Sequence, residues 1–223
     1  MKTICFVTEG VTDQIILESL VERWMGNTDF AIRLIQPPSS EYARGLDSLL
    51  SQGWKGVTAW CGGKYGAQGR DEALRRADCL IVHVDADVAT DPDFRNPPFA
   101  GPCPPANNAC DWVREHLSTL LGTASHPHVV FCVPSKDIEA WVLCALLPEV
   151  ADRHAPVECR SDPAALLVER TYNLVRRKDG RLRKNTSNYR RAASAFAAKW
   201  RNCPTRCDEA ERFENDIRRV LGV

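Results

Sequence analysis

The sequence predicts an α/β protein: a mostly parallel sheet flanked by helices, with a C-terminal helical extension. Three observations predict it. Short β-rich apolar runs alternate with helix-patterned segments up to about residue 147. Several of those runs stop at an acidic residue. Beyond Pro148 the chain reads as helices and loops with no convincing strand. Strands alternating with helices build parallel sheets, because a parallel pair needs a crossover connection.

The elements follow in order. "TICFVT" is a short strand, and "TDQIILESLVERW" is a helix by the spacing of Ile15, Ile16, Ser19, Leu20 and Arg23, with Thr12 or Asp13 placed to cap it. "FAIRLIQ" is a second strand, closed by Pro37 and Pro38. "YARGLDSLLSQGW" fits a helix, the glycine-rich "GVTAWCGGKYGAQGRD" a loop, and "EALRRA" a short helix. "DCLIVHVDAD" is the strongest strand. A proline-rich loop from Pro92 to about Pro105 leads into the amphipathic "NACDWVREHLSTLLG". "HVVFCVP" is the last clear strand, and "SKDIEAWVLCALL" starts a helix at a capping Ser135. Helices are expected in "DPAALLVERTYNLV", "YRRAASAFAAKW" and "DEAERFENDIRRVL". The division is therefore residues 1–147 as an α/β domain and 148–223 as a basic helical extension packed on it.

Composition bounds the function. No apolar run approaches the roughly 20 residues that cross a bilayer, and "MKTICFVTEG" lacks a signal-peptide pattern, so a cytoplasmic protein is expected. The 10 cysteines are then expected to be reduced, and Cys5, Cys79, Cys132 and Cys144 lie in apolar runs as small hydrophobes. Cys203 and Cys207, with Cys159 and His154 upstream, could form half of a zinc site, but no second pair stands at ligand spacing. The net charge is zero, yet 17 of the 29 lysines and arginines and only 10 of the 29 acids follow residue 150, leaving 12 against 19 before it. An acidic first part joined to a basic last part suggests a metal-binding core beside a polyanion-binding surface.

Three acidic clusters fall where apolar runs end: Glu9 with Asp13, Asp85 with Asp87, and Asp137 with Glu139. In a parallel sheet the carboxyl ends of the strands line one edge, so the three should converge. Converging carboxylates repel unless a cation lies among them, and hard oxygen donors suit Mg²⁺ or Mn²⁺. Each cluster also has a plain structural explanation, as a turn or a helix start; the joint pattern is what points to a site. The basic run "VRRKDGRLRKNTSNYRR" carries Arg176, Arg177, Lys178, Arg181, Arg183, Lys184, Arg190 and Arg191 against Asp179 alone. Beside a carboxylate cluster, phosphate binding explains it better than a solvated loop. Tyr172 and Tyr189 flank the run and fit helix packing better than base stacking. "GGKYGAQG" lacks the P-loop pattern, His83 reads as a core histidine, and the tryptophans fit packing.

"EGVTD" after the first strand, "DAD" after a later hydrophobic strand and a further acidic motif resemble the TOPRIM domain, over roughly Met1 to Leu147. With "KDIEAW" on the next helix, the pattern is most similar to OLD-like nucleases and to small stand-alone TOPRIM proteins of bacterial defence. The resemblance implies a metal-dependent nuclease using one or two Mg²⁺ or Mn²⁺ ions. Glu9 would bind metal or act as general acid/base, Asp85 and Asp87 would bind metal, and Asp13, Asp137 and Glu139 would complete a two-metal site. Lys136 would stabilise transition-state charge, with Lys64 a competing candidate. The implied partner is nucleic acid, DNA before RNA, with no membrane. The chain shows neither the gate of a topoisomerase nor the ATPase of a full OLD protein, which leaves a partner ATPase or a homodimer as candidates. Competing classes are a non-catalytic nucleic-acid- or partner-binding module, a DxD sugar-nucleotide glycosyltransferase and, ranked last, a haloacid dehalogenase-type phosphatase.

Overall fold

The computed structural model describes residues 1–37, 53–63, 67–122 and 126–223. Its frame is a four-stranded, all-parallel sheet in the order β2-β1-β3-β4, from β1 (Lys2–Val7), β2 (Phe30–Gln36), β3 (Cys79–His83) and β4 (Val129–Cys132). Side chains alternate across a strand, and here both faces are covered. Ile4, Phe6, Cys79, Ile81, Val130 and Cys132 face one core, and Cys5, Val7, Leu80, Val82 and Val129 face the other.

The first core is closed by α1 (Val11–Met25), α5 (Glu139–Leu146), α7 (Thr186–Ala198) and α8 (Asp208–Leu221). Trp24, Trp141, Trp200 and Phe213 pack there edge-on, tilted or, for Trp141 on Phe213, stacked, which assigns these tryptophans to packing. The second core is closed by α2 (Gly53–Cys61), α3 (Ala67–Arg76) and α4 (Asn107–Leu121). A short α6 (Pro148–Arg153) follows α5. The C-terminal third thus shares the first core with α1 and α5. An α/β arrangement with a parallel sheet flanked by helices is what the strand–helix alternation predicts.

Four features differ from the sequence reading. A strand pair, β5 (Val175–Lys178) and β6 (Arg181–Lys184), forms an antiparallel hairpin where helices and loops were expected. Asp179 and Gly180 turn it at φ of 52° and 74°, the mirror-image turn that an Asp-Gly pair favours. The charge of the run masks its turn signal, "DG" between two short runs. Secondly, "GVTAWC" is helical in α2: Val57, Trp60 and Cys61 stand at i, i+3 and i+4 and are buried, so periodicity outweighs glycine content. The same holds for α3, which begins before "EALRRA". Most of the helix expected over 42–54 lies outside the described residues, as does Lys64.

Thirdly, neither predicted cap is used. Gly10 is the N-cap of α1, and Ile138 rather than Ser135 that of α5, both without a side-chain cap bond. Lastly, Cys103 and Cys159 form a disulfide, 56 residues apart, where reduced thiols were expected. No helix among the described residues is long and apolar enough to cross a membrane.

Candidate metal centre

The sheet order fixes where a site can form. The chain leaves β1 toward β2 through α1 on one face, and leaves β3 toward β4 through α4 on the other. The carboxyl ends of β1 and β3 therefore flank the point where the winding reverses, the usual crevice of open α/β sheets. Glu9 follows β1 by two residues and Asp85 follows β3 by two.

Their contact is built by the sheet itself. Successive N–H groups of a strand point to alternate neighbours. The amides of Leu80, Val84 and Ala86 donate toward β4, to His128, Cys132 and Pro134 carbonyls at 3.0, 3.2 and 2.8 Å. The amide of Asp85 therefore points toward β1, whose backbone has already turned away. The Glu9 carboxylate fills that place, its Oε1 accepting from the Asp85 N–H at 2.8 Å. Glu9 is held from behind as well, its carbonyl accepting from the Gly53 N–H at 3.1 Å.

Alternation also puts His83 and Asp85 on one face, with His83 Nε2 3.2 Å from Asp85 Oδ1. That is the α1/α5 face, so these two point toward Asp13 and Glu139. Glu139, in the first turn of α5, is completely buried. Its Oε1 accepts from the Tyr189 hydroxyl at 2.7 Å, and its Oε2 lies 2.8 Å from Lys184 Nζ. The same ammonium is 3.6 Å from Asp13 Oδ1, which also accepts from the Thr12 hydroxyl at 3.3 Å. Gly10 leaves room beside it: a Cβ there would lie 3.0 Å from Asp13 Oδ2, a tight contact to which the carboxylate would have to yield.

The electrostatics record the crowding. Burial, then Asp85, pushes the Glu9 carboxyl up to about 8. Burial and Glu139 push Asp137 up to about 9, and burial and Asp85 push Asp87, at the exposed rim, up to about 6. Glu139 is raised by burial despite Lys184 beside it. Burial alone would depress Lys184, but Glu139, Asp13 and Asp85 hold it well above the usual lysine value. His83 is likewise opposed by burial and raised to about 9 by Asp85.

All six predicted carboxylates thus belong to one electrostatic neighbourhood. Their oxygens suit a hard divalent ion, and Asp137 Oδ1 is buried without a hydrogen-bond partner. They do not form a finished coordination shell: among the described residues, the only three candidate ligand atoms mutually within 4.8 Å are cysteine sulfurs. The cation found among the carboxylates is Lys184. Lys136 is partly buried and near enough to oppose the rise at Asp87.

Of the basic run, Arg176, Arg177, Lys178, Arg181, Arg183, Lys184, Arg190 and Arg191 are all exposed. Strand parity nevertheless puts Lys184 on the opposite side from Arg183, the side of Val175 and Leu182, and its ammonium reaches Glu139 and Asp13. Tyr189 is buried, and Tyr172 packs on the first core. Sequence reasoning missed His83 and Tyr189 as site residues, and it gave Lys184 a phosphate-binding role without its place among the carboxylates. The i, i+2 relation of His83 to Asp85 was a readable signal, and parity within "RLRK" another once the hairpin is known. Tyr189 carries no local signal. A scan against models of known families, a search of curated proteins and a search of solved structures each return no match, so the site's own geometry carries the functional argument.

Proposed function

We propose that this chain is a divalent-metal-dependent phosphodiesterase acting on nucleic acid, a nuclease of TOPRIM-like organisation. The observation that carries this reading is the gathering of acids from three strand ends into one partly buried cluster, with Glu9 and Asp137 raised by burial and by one another's neighbours. Such a cluster is costly to leave without cations. Bound Mg²⁺ or Mn²⁺ would supply an activated water and charge stabilisation at the leaving oxygen. Glu9, Asp13, Asp85, Asp87, Asp137 and Glu139 would hold the ions, with His83 Nε2 as an ion-pair neighbour 3.2 Å from Asp85 Oδ1.

The hairpin supports the nucleic-acid half of the reading. In register, Arg176 faces Arg183 and Lys178 faces Arg181, so four cations share its outer face. Like charges directly opposite destabilise a strand pair, and none of the four meets an acid among the described residues. A phosphate backbone would relieve that repulsion. Lys184, at the root of the same hairpin but on its opposite face, links the hairpin to the acidic cluster.

The test is a cleavage assay on plasmid and on single-stranded DNA and RNA with Mg²⁺, Mn²⁺ or EDTA, comparing wild type with Asp85→Ala/Asp87→Ala. Metal-dependent cutting that the variant loses supports the proposal. Folded protein that shifts nucleic acid without metal and never cuts replaces it with a binding module. Charge reversal at Arg176 and Arg183 should weaken binding by about tenfold or more at low salt and flatten the salt dependence, by filter binding across salt.

A further inference from the structure

Outside the acidic cluster, the molecule gathers a second set of ligand-type side chains. Cys144 in α5 and Cys203 and Cys207, in the turn before α8, are all buried, and their sulfurs lie within 4.8 Å of one another. Cys144 Sγ and Cys207 Sγ are 3.4 Å apart. We propose that Cys144, Cys203 and Cys207 form a structural site for a thiophilic d¹⁰ cation, Zn²⁺ or Cu⁺, that ties α8 to α5.

Simple packing of small hydrophobes accounts for the other free thiols, because Cys5, Cys61, Cys79, Cys110 and Cys132 are buried without assembling any such triad among the described residues. The spacing argues for a shared ion. Thiolates about 2.3 Å from a common centre stand about 3.8–4.0 Å from each other, which falls between the Cys144–Cys207 separation and the 4.8 Å outer limit of this set. The backbone is already shaped for it: the Arg206 and Cys207 amides both donate to the Cys203 carbonyl, at 2.9 and 3.0 Å, folding the two cysteines onto one side. Cys203 Sγ also donates to the Trp141 carbonyl at 3.2 Å, so the turn lies directly on α5.

The three sulfurs share protons among themselves: Cys144 is favoured as a thiolate while Cys203 and Cys207 are held as thiols, so a bound cation would displace their protons. Cys207 is the N-cap of the 14-residue α8, at the positive end of its dipole. The Cys203 and Cys207 thiols favour the Cys144 thiolate first, and Arg206, anchored by Asp152 at 2.7 and 3.0 Å, adds a smaller push in the same sense. Three sulfurs suit trigonal Cu⁺, or Zn²⁺ with one further ligand. The partners the sequence offered are engaged elsewhere: Cys159 in the disulfide with Cys103, and His154 Nδ1 beside Arg160 at 3.3 Å.

Cd²⁺ is the probe, titrated into reduced wild-type chain under anaerobic conditions. The expected result is a thiolate-to-Cd²⁺ ultraviolet charge-transfer band that saturates at one ion per chain. The band is lost in Cys144→Ser and kept in Cys132→Ser. It is also kept in Cys103→Ser/Cys159→Ser, where reductant frees no further pair. Wild-type melting with and without Zn²⁺ or Cu⁺ reads the site without any substitution, and one of the two should raise the melting temperature. Whichever ion survives dialysis against the other, by metal analysis, identifies the resident one. No band in wild type overturns the proposal, as does a band that Cys144→Ser retains or Cys103→Ser/Cys159→Ser loses. A Cys144–Cys207 disulfide mapped in freshly isolated protein overturns it equally.

Discussion

Tyr189 shows how far a single side chain can sit, in sequence, from the residue it serves. Its hydroxyl donates to Glu139, 50 positions earlier, inside a fully buried pocket. Removing the donor leaves a buried carboxylate oxygen short of one partner. Tyr189→Phe should therefore cost about 1.5–3 kcal/mol of stability in urea unfolding without metal. Lys184 is the charged counterpart. With Lys184→Met, Glu139 and Asp13 lose the ammonium between them, so the melting temperature in EDTA should fall. Added Mn²⁺ should then recover more degrees in the variant than it adds to wild type. A variant as stable as wild type in EDTA would show that Lys184 is not the cluster's counterion. At this scale the sequence announced the acids, because each follows an apolar run. It concealed Tyr189 and the inward turn of Lys184, because both depend on how a distant segment docks.

The elements most exposed to error were those whose local pattern was mixed. β1 and β3 were legible because their apolar runs are continuous, as strands buried on both faces require. The β5–β6 hairpin was not, because its outer side is all cationic and its inner side mixes Val175 and Leu182 with Arg177 and Lys184, which leaves almost no apolar signal. Its turn is the weak point. Gly180 sits at φ 74°, and Gly180→Ala should cost about 1 kcal/mol or more, read in the same unfolding experiment. α8 is secured differently. Glu158 caps it from another segment, accepting from the Asp208 and Glu209 amides at 3.0 and 3.3 Å. Glu209 in turn pairs with Arg114 of α4, both deeply buried. Glu209→Ala would strand that guanidinium, with an expected loss of about 3–5 kcal/mol. A loss near zero would mean that Asp111, 3.1 Å from Arg114, suffices alone.

For the molecule as a whole, the acidic cluster sets a direction for stability against pH. Glu9 and Asp137 are raised to about 8 and about 9 from ordinary values of 4.5 and 3.8. Between those values the folded chain holds protons that the unfolded chain has released, so stability falls as pH rises. His83, raised to about 9 from 6.5, acts in the same sense: its contribution is complete below 6.5 and lost through 9. Metal-free protein should therefore melt at progressively lower temperature from about pH 5 to about pH 9. Glu9→Gln and Asp137→Asn should flatten that decline, and a flat wild-type profile would mean that the cluster is not strained. The bond from the Asp85 amide to Glu9 has a consequence for any mutational dissection of this centre. Its donor is main chain, so truncating residue 85 deletes a carboxylate yet keeps the anchor for residue 9. Truncating residue 9 deletes a carboxylate and an acceptor together, unfastening the ends of β1 and β3. The two alanine phenotypes are thus unequal by construction: one isolates chemistry, the other mixes it with architecture.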